Sequence, residues 1–274
     1  MMNTQYFEQS KGTIAYDDSQ GDGQLVLMLP GMGALRSEYR YLAPPLIEAG
    51  YRVVTADLRG HGESSVDWPE YTLPAAGQDI LDLIAYLDAG PAHVIGTSFS
   101  PGAAVWAEVE QPEAIRSLTL IGPWVRDAPA NAVKDGLTAV LLSGPWKVWG
   151  WTTFYKTLYP TQKPDDFDAY MSSLKNNLHE SGRFDALKGL GFTTKIASEQ
   201  RLGQVQAPVL VVMGSKDPDW PSAEAEANWI VEKVSGELLL VDGAGHYPQT
   251  EMPQKVIPGV LDFLQRTSAP AGAS

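Results

Sequence analysis

Short runs of apolar residues recur along the chain, and each ends on a turn residue. Leu25-Val26-Leu27-Met28-Leu29 stops at Pro30-Gly31, Tyr51–Ala56 at Asp57, and Ala92-His93-Val94-Ile95 at Gly96. Ser117–Ile121 stops at Gly122-Pro123, Val209–Met213 at Gly214, and Glu237–Val241 at Asp242-Gly243. A run without polar alternation is the pattern of a strand covered on both faces, as in a parallel sheet. Helical periodicity fills the gaps. Ile80, Leu83, Ile84 and Leu87 fall at i, i+3, i+4 and i+7 on one face, and Gly90-Pro91 is the predicted stop. Val260, Leu261, Phe263 and Leu264 form a similar stripe near the C-terminus. Gly12–Tyr16 is predicted to add an antiparallel edge. Strands alternating with helices predict an α/β fold with a mostly parallel sheet.

One stretch breaks the alternation. From Arg126 to Gly203 no buried-strand pattern occurs, and Trp146, Trp149, Trp151, Phe154, Tyr155, Tyr159, Phe167 and Tyr170 sit among helix-compatible residues. The pattern predicts a helical insertion over the sheet. The expected division is residues 1–125 and 204–267 as the core, 126–203 as the insertion, and 268–274, small and polar, as a flexible tail.

Composition narrows the chemistry. The chain has no cysteine, which excludes disulfides, thiolate metal sites and a cysteine nucleophile. A net charge of −13 disfavours nucleic acid and anionic membrane as partners. No basic start precedes an apolar run, and no apolar run reaches the roughly 20 residues of a membrane span. The expectation is a cytoplasmic protein, monomer or homodimer, acting on a small molecule without membrane insertion. Gly31-Met32-Gly33 lacks the third glycine of a dinucleotide fingerprint, and no Walker-type loop or metal cluster is evident, so no cofactor and no metal are expected.

The unusual residues follow the strands, where ligands bind in open α/β sheets. The strand at His93–Ile95 runs into Gly96-Thr97-Ser98-Phe99-Ser100 and then a small-residue helix, Pro101-Gly102-Ala103-Ala104. A serine on a sharp strand-to-helix turn is the setting of a nucleophile elbow. A serine nucleophile needs a base, and the base an orienting acid. Of the four histidines, His61 lies between loop glycines, His93 mid-strand and His179 in a polar run of the insertion. His246, in Gly243-Ala244-Gly245-His246-Tyr247-Pro248 after the last strand, is the candidate base. Asp217, just past the Val209–Met213 strand, is the favoured acid, with Asp219 and Asp127 as competitors. The backbone N–H groups of Phe99 and Met32 are the candidate oxyanion donors. Trp124, Trp146, Trp149 and Phe154 are candidates to line an apolar substrate pocket.

Together LPGMG, YRVVTADLRGHGESS, GTSFSPGA, GSKDPDW and GAGHYPQTEMP, with the chain order Ser98, Asp217, His246, resemble the serine-nucleophile, lid-bearing branch of the alpha/beta-hydrolase superfamily. The resemblance runs from about Gly12 to Arg266. It implies a mostly parallel alpha/beta-hydrolase sheet flanked by helices, with a helical lid inserted after the sixth strand. Two positions depart from the pattern: Pro30-Gly31 stands where many members have His-Gly, and Ser100 replaces the last glycine of the elbow. The Ser100 hydroxyl must be buried with a hydrogen-bond partner, or it costs about 1–3 kcal/mol. Serine at the nucleophile position disfavours the aspartate-nucleophile branches, the haloalkane dehalogenases and epoxide hydrolases. The implied activity is hydrolysis of moderately apolar carboxylic esters through an acyl-enzyme. The same triad also serves C–C bond hydrolysis, lactone or amide opening and cofactor-free perhydrolysis. A ligand-binding or signalling protein with a retained pocket is the alternative outside catalysis.

Overall fold

The computed structural model describes residues 3–127, 140 and 142–268; part of the expected insertion and all but Ser268 of the expected tail lie outside them. Its strands are β1 (Thr4–Gln9), β2 (Gly12–Asp18), β3 (Leu25–Leu29), β4 (Arg52–Ala56), β5 (Ala92–Thr97), β6 (Ile115–Ile121), β7 (Val209–Gly214) and β8 (Glu237–Val241). They form one sheet in the order β1-β2-β4-β3-β5-β6-β7-β8, parallel from β4 to β8. β2 joins β4 antiparallel and carries β1 outside it. The true edge is therefore β1, which the hydrophobic pattern did not predict. TQYFEQ alternates between half-buried and exposed positions and has no continuous apolar run.

Helices cover both faces. On one side α2 (Leu73–Leu87) and α3 (Ser100–Glu110) pack with α8 (Ala223–Val234) over a core that includes Leu27, Val94, Leu118 and Val211. On the other, α1 (Ala43–Glu48) and α10 (Pro253–Ser268) cover Val26, Met28, Ile95 and Val212. Successive strand residues face opposite layers, so a strand between two helical layers is apolar at most positions. Thr72 caps α2 by accepting from the Ala75 N–H. That helix ends at Leu87, earlier than Gly90-Pro91 implied, because Asp88 takes the left-handed conformation at φ 46°. Aspartate is one of the few residues that tolerates that region. Thr267 and Ser268 are the last turn of α10, held by Ser268 Oγ donating to the Leu264 carbonyl at 2.7 Å.

Among the described residues, four α-helices lie between β6 and β7: α4 (Lys147–Thr157), α5 (Phe167–His179), α6 (Arg183–Phe192) and α7 (Ile196–Glu199). Trp151, Tyr155, Tyr159, Phe167 and Tyr170 form a third apolar cluster there, joined by Ala34 and Tyr247 from the core. Trp151 Nε1 donates to the Gly33 carbonyl at 3.1 Å, and Asn177 Nδ2 to the Gly62 carbonyl at 2.8 Å. The insertion thus docks onto the loops beyond the carboxyl ends of the strands. Among the described residues no helix is long and apolar enough to cross a membrane.

The chain order reverses at β3, whose neighbours are β4 and β5. Leu29 pairs with Gly96, so the loop after β3 and the turn after β5 emerge side by side. This is the switch point at which open α/β sheets leave a crevice.

Candidate active site

The turn after β5 holds Ser98 at φ 59°, a left-handed conformation that non-glycine residues rarely take. Two hydrogen bonds pin it beside the end of β6: Ser98 N–H to the Ile121 carbonyl at 2.9 Å, and Trp124 N–H to the Ser98 carbonyl at 2.8 Å. The turn is tight. A Cβ on Gly96 would lie 2.8 Å from both Pro101 N and Ser100 C, so only glycine fits there without movement. Ser100, on the other flank, is fully buried, and its Oγ donates to the Pro30 carbonyl at 2.6 Å. The hydroxyl has the buried partner expected of it, and that partner belongs to the neighbouring loop.

That loop approaches Ser98 closely. A Cβ on Gly31 would lie 3.0 Å from Ser98 Cβ and 3.1 Å from the Tyr247 hydroxyl. Among the described residues the N–H groups of Met32 and Phe99 have no hydrogen-bond partner, which leaves both available to an incoming acceptor.

His246 and Asp217 meet through the ends of β7 and β8. Lys216 N–H donates to the Ala244 carbonyl at 2.8 Å, and a Cβ on Gly214 would collide with the Gly245 carbonyl. This close backbone approach brings His246 Nδ1 to 2.7 Å from Asp217 Oδ2, with both side chains buried. Asp219 Oδ2 stands at 3.5 Å from the same nitrogen, and its N–H donates to Asp217 Oδ1 at 3.0 Å. Asp127 accepts from Thr194 Oγ1 and the Lys195 N–H, within the insertion, and plays no part at the histidine. A carboxylate on Nδ1 fixes the proton there and leaves Nε2 as the basic nitrogen. Burial lowers the His246 pKa, but the charges of Asp217 and Asp219, the Asp217 hydrogen bond and Glu38 outweigh it and push it up to about 9. The two carboxylates therefore stabilise the imidazolium that forms when Nε2 takes up a proton.

The His246 ring lies against Gly122, where a Cβ would sit 3.1 Å from Nδ1, so Ser98 and His246 flank the same end of β6. No hydrogen bond joins Ser98 Oγ to His246 among the described residues. Such contacts often tighten only when substrate is bound. Asp217, Asp219 and His246 also form a group whose ligand atoms lie within 4.8 Å of one another. The 2.7 Å contact between His246 and Asp217 has the length of a direct hydrogen bond.

The other histidines lie elsewhere. His61 is buried with Nδ1 on the Arg59 carbonyl, and burial pushes it down to about 4. His93 is held in the sheet by Ser117 Oγ at 2.7 Å, and His179 is exposed at the end of α5. Of the four aromatic pocket candidates, Trp124 stays beside the turn, with Lys195 Nζ 4.5 Å from its ring centroid. Trp146, Trp149 and Phe154 are 48%, 63% and 40% exposed. Instead, α4 turns Trp151 and Tyr155 inward. The hydrophobic pattern could not assign the faces of this helix, because aromatics occupy all its sides.

One functional candidate carries no sequence signal. Glu38 is 1% exposed, although it lies in a polar stretch, Arg36-Ser37-Glu38-Tyr39-Arg40. Its carboxylate accepts from the Gly31 N–H and from Gln249 Nε2.

The sequence profile of the Alpha/beta hydrolase family matches residues 26–258. The chain is 29% identical over 227 residues to 3-oxoadipate enol-lactonase 1 of Acinetobacter baylyi, a match covering 80% of each protein. It is 26% identical over 272 residues to 2-hydroxy-6-oxononadienedioate/2-hydroxy-6-oxononatrienedioate hydrolase of Paraburkholderia xenovorans, covering 92% of this chain and 90% of that one. A hydrolase from Pseudomonas aeruginosa has a crystal structure that superposes with a TM-score of 0.81 at 24% identity, over 96% of this chain and 98% of that one. With a profile match across most of its length and the sheet order and switch point described above, the chain belongs to the alpha/beta hydrolase family, and the relatives named here are a lactonase and two hydrolases.

Proposed function

We propose that the protein is a serine hydrolase acting on moderately apolar carboxylic esters. The observation that carries this reading is the buried 2.7 Å contact of His246 Nδ1 with Asp217, beside a serine at φ 59°. In the reaction, Ser98 Oγ attacks the carbonyl carbon and its proton passes to His246 Nε2. Asp217 stabilises the imidazolium, and the Met32 and Phe99 N–H groups receive the oxyanion. Collapse expels the alkoxide, which takes the proton from His246 and leaves an acyl group on Ser98. Water, deprotonated by His246, then attacks the acyl carbon; the bond to Ser98 Oγ breaks, His246 returns the proton to that oxygen, and the acid leaves. The helical insertion acts as a lid, and its inward aromatic cluster supports an apolar substrate group.

A second reading uses the same atoms on a cyclic ester. The relative named as an enol-lactonase favours it, and here the expelled alkoxide stays tethered to the acyl group. The deciding experiment is turnover of short-chain p-nitrophenyl esters and simple lactones, with Ser98→Ala as control. Ester turnover abolished by that substitution supports the proposal. A folded wild type inert to both substrate classes and to fluorophosphonate labelling rejects it.

A further inference from the structure

Glu38 lies behind the reacting groups, in the 3-10 turn Arg36–Tyr41 that follows the oxyanion loop. Three segments converge on it. The Gly31 N–H donates to Oε2 at 3.3 Å from the oxyanion loop. Gln249 Nε2, three residues after His246, donates to Oε1 at 2.6 Å and also reaches Thr97 Oγ1 at 3.3 Å. Thr97 immediately precedes Ser98, and its hydroxyl lies 2.8 Å from that of Tyr39, which in turn donates to the Leu29 carbonyl at the end of β3. Thr250 Oγ1 donates to the Glu38 backbone carbonyl at 3.2 Å. A carboxylate with no access to solvent is retained only where donors converge on it. Here the donors come from the loops carrying Met32 and His246, and the Gln249 amide ties both to Thr97 beside Ser98.

The orientation of Gln249 fits this role. Its Nε2 faces Glu38, and its Oε1 is buried without a partner. The amide gives up one hydrogen bond in order to donate to the carboxylate.

From these contacts we infer that Glu38 is a positioning residue. Its carboxylate holds the oxyanion loop through the Gly31 N–H and, through Gln249 and Thr97, locks that loop to the elbow and to the histidine loop. The inference rests on the serine-hydrolase reading above. It extends that reading by naming the group that aims the Met32 N–H. Burial raises the Glu38 pKa to about 7, against the opposing hydrogen bonds from Thr97, Gly31 and Gln249 and the charge of His246. The other titratable groups facing it are Tyr39 on its own turn, Tyr155, Tyr159 and Tyr170 from the insertion, and Tyr247 beside His246. Burial raises all five phenols, so they stay neutral, and His246 is the partner whose charge changes with Glu38.

The test compares wild type, Glu38→Gln and Glu38→Ala, each normalised to its active-site titre, for p-nitrophenyl ester hydrolysis between about pH 5 and 9. Glu38→Ala should lose about a hundredfold in kcat with KM little changed, the size of a disabled oxyanion donor. Glu38→Gln can still accept from Gly31 if Gln249 turns its free Oε1 toward the new amide, so it should recover most of that loss. Both variants remove a negative charge facing His246, so the acid limb of kcat/KM should move to lower pH. Loss confined to the fraction of folded protein, or an unmoved acid limb in Glu38→Gln, overturns the inference. One readout needs no turnover. By NMR, the Gly31 amide resonance should follow the Glu38 titration in wild type and lose that dependence in Glu38→Gln. If Ser98→Ala matches wild type on esters, the hydrolase reading fails and the Gly31 signal alone judges Glu38; a Gly31 amide indifferent to the substitution rejects its role.

Discussion

The Ser100 hydroxyl donates to the Pro30 carbonyl at 2.6 Å, joining the turn after β5 to the first residue of the loop after β3. A glycine at this position would leave the Pro30 carbonyl without that donor. The residue that departs from the G-x-S-x-G pattern therefore takes up a bracing task, in a loop where Pro30 stands in place of the more usual histidine. Ser100→Gly should keep ester turnover within about tenfold of wild type, a change of about 1.4 kcal/mol in the barrier. A loss as deep as that of Ser98→Ala would give Ser100 a direct part in the chemistry. Steady-state kinetics of the two variants side by side decides this.

Asp217→Asn should lower kcat by about 10³- to 10⁴-fold, because an amide no longer holds the Nδ1 proton or stabilises the imidazolium. Its residual kcat/KM should also show an acid limb at lower pH, since the charge that raises His246 most is gone. Asp219→Asn should move the limb in the same direction with a much smaller loss of rate, because Asp219 stands 3.5 Å from Nδ1 and Asp217 keeps the hydrogen bond. Equal losses from the two substitutions would mean that the acid role is shared.

The same pair predicts a pH-dependent stability. His246 rises in the folded protein from its ordinary 6.5 to about 9. Its contribution is therefore complete below pH 6.5 and is lost as the pH climbs through about 9. Thermal melting between pH 6 and 10 should show wild type losing stability across that window more steeply than Asp217→Asn. Parallel curves would show that the pair does not stabilise the charged imidazole.

Gly31→Ala places a methyl group 3.0 Å from Ser98 Cβ and 3.1 Å from the Tyr247 hydroxyl. The loop after β3 must shift by a few tenths of an ångström to admit it, and, if that loop holds the oxyanion as proposed, such a misplacement costs rate out of proportion to its size. We expect a loss of about a hundredfold or more in kcat with a melting temperature close to that of wild type. Wild-type kinetics would show that the loop can move without consequence.

Much of this protein could be read along the chain. Six sheet strands were legible because burial between two layers favours an unbroken apolar run, as in Leu25–Leu29 and Val209–Gly214, and β8 at the far edge keeps such a run on half-buried positions. β1 was not, because an edge strand with one wet face carries a weak alternation easily taken for a loop. The setting of Ser98 was legible too. A strand, a small residue, a serine and a run of small helical residues are all local, and the tight turn between β5 and α3 demands them.

The remaining assignments depended on distances between parts of the chain far apart in sequence. Asp217 and Asp219 flank the same proline, and the packing of β7 against the histidine loop alone makes one contact 2.7 Å and the other 3.5 Å. The aromatics of α4 share one composition, yet helix docking buries Trp151 and Tyr155 and leaves Trp149 in solvent. Glu38 reads locally as a charged surface residue. It is buried because residues 31, 97 and 249 close around it: the Gly31 N–H and the Gln249 amide donate to its carboxylate, Thr97 accepts from the same amide, and these contacts exist only when all three segments are folded together. Periodicity and turn chemistry are local properties that a sequence determines by itself, whereas the partner of a buried polar group is set by tertiary packing.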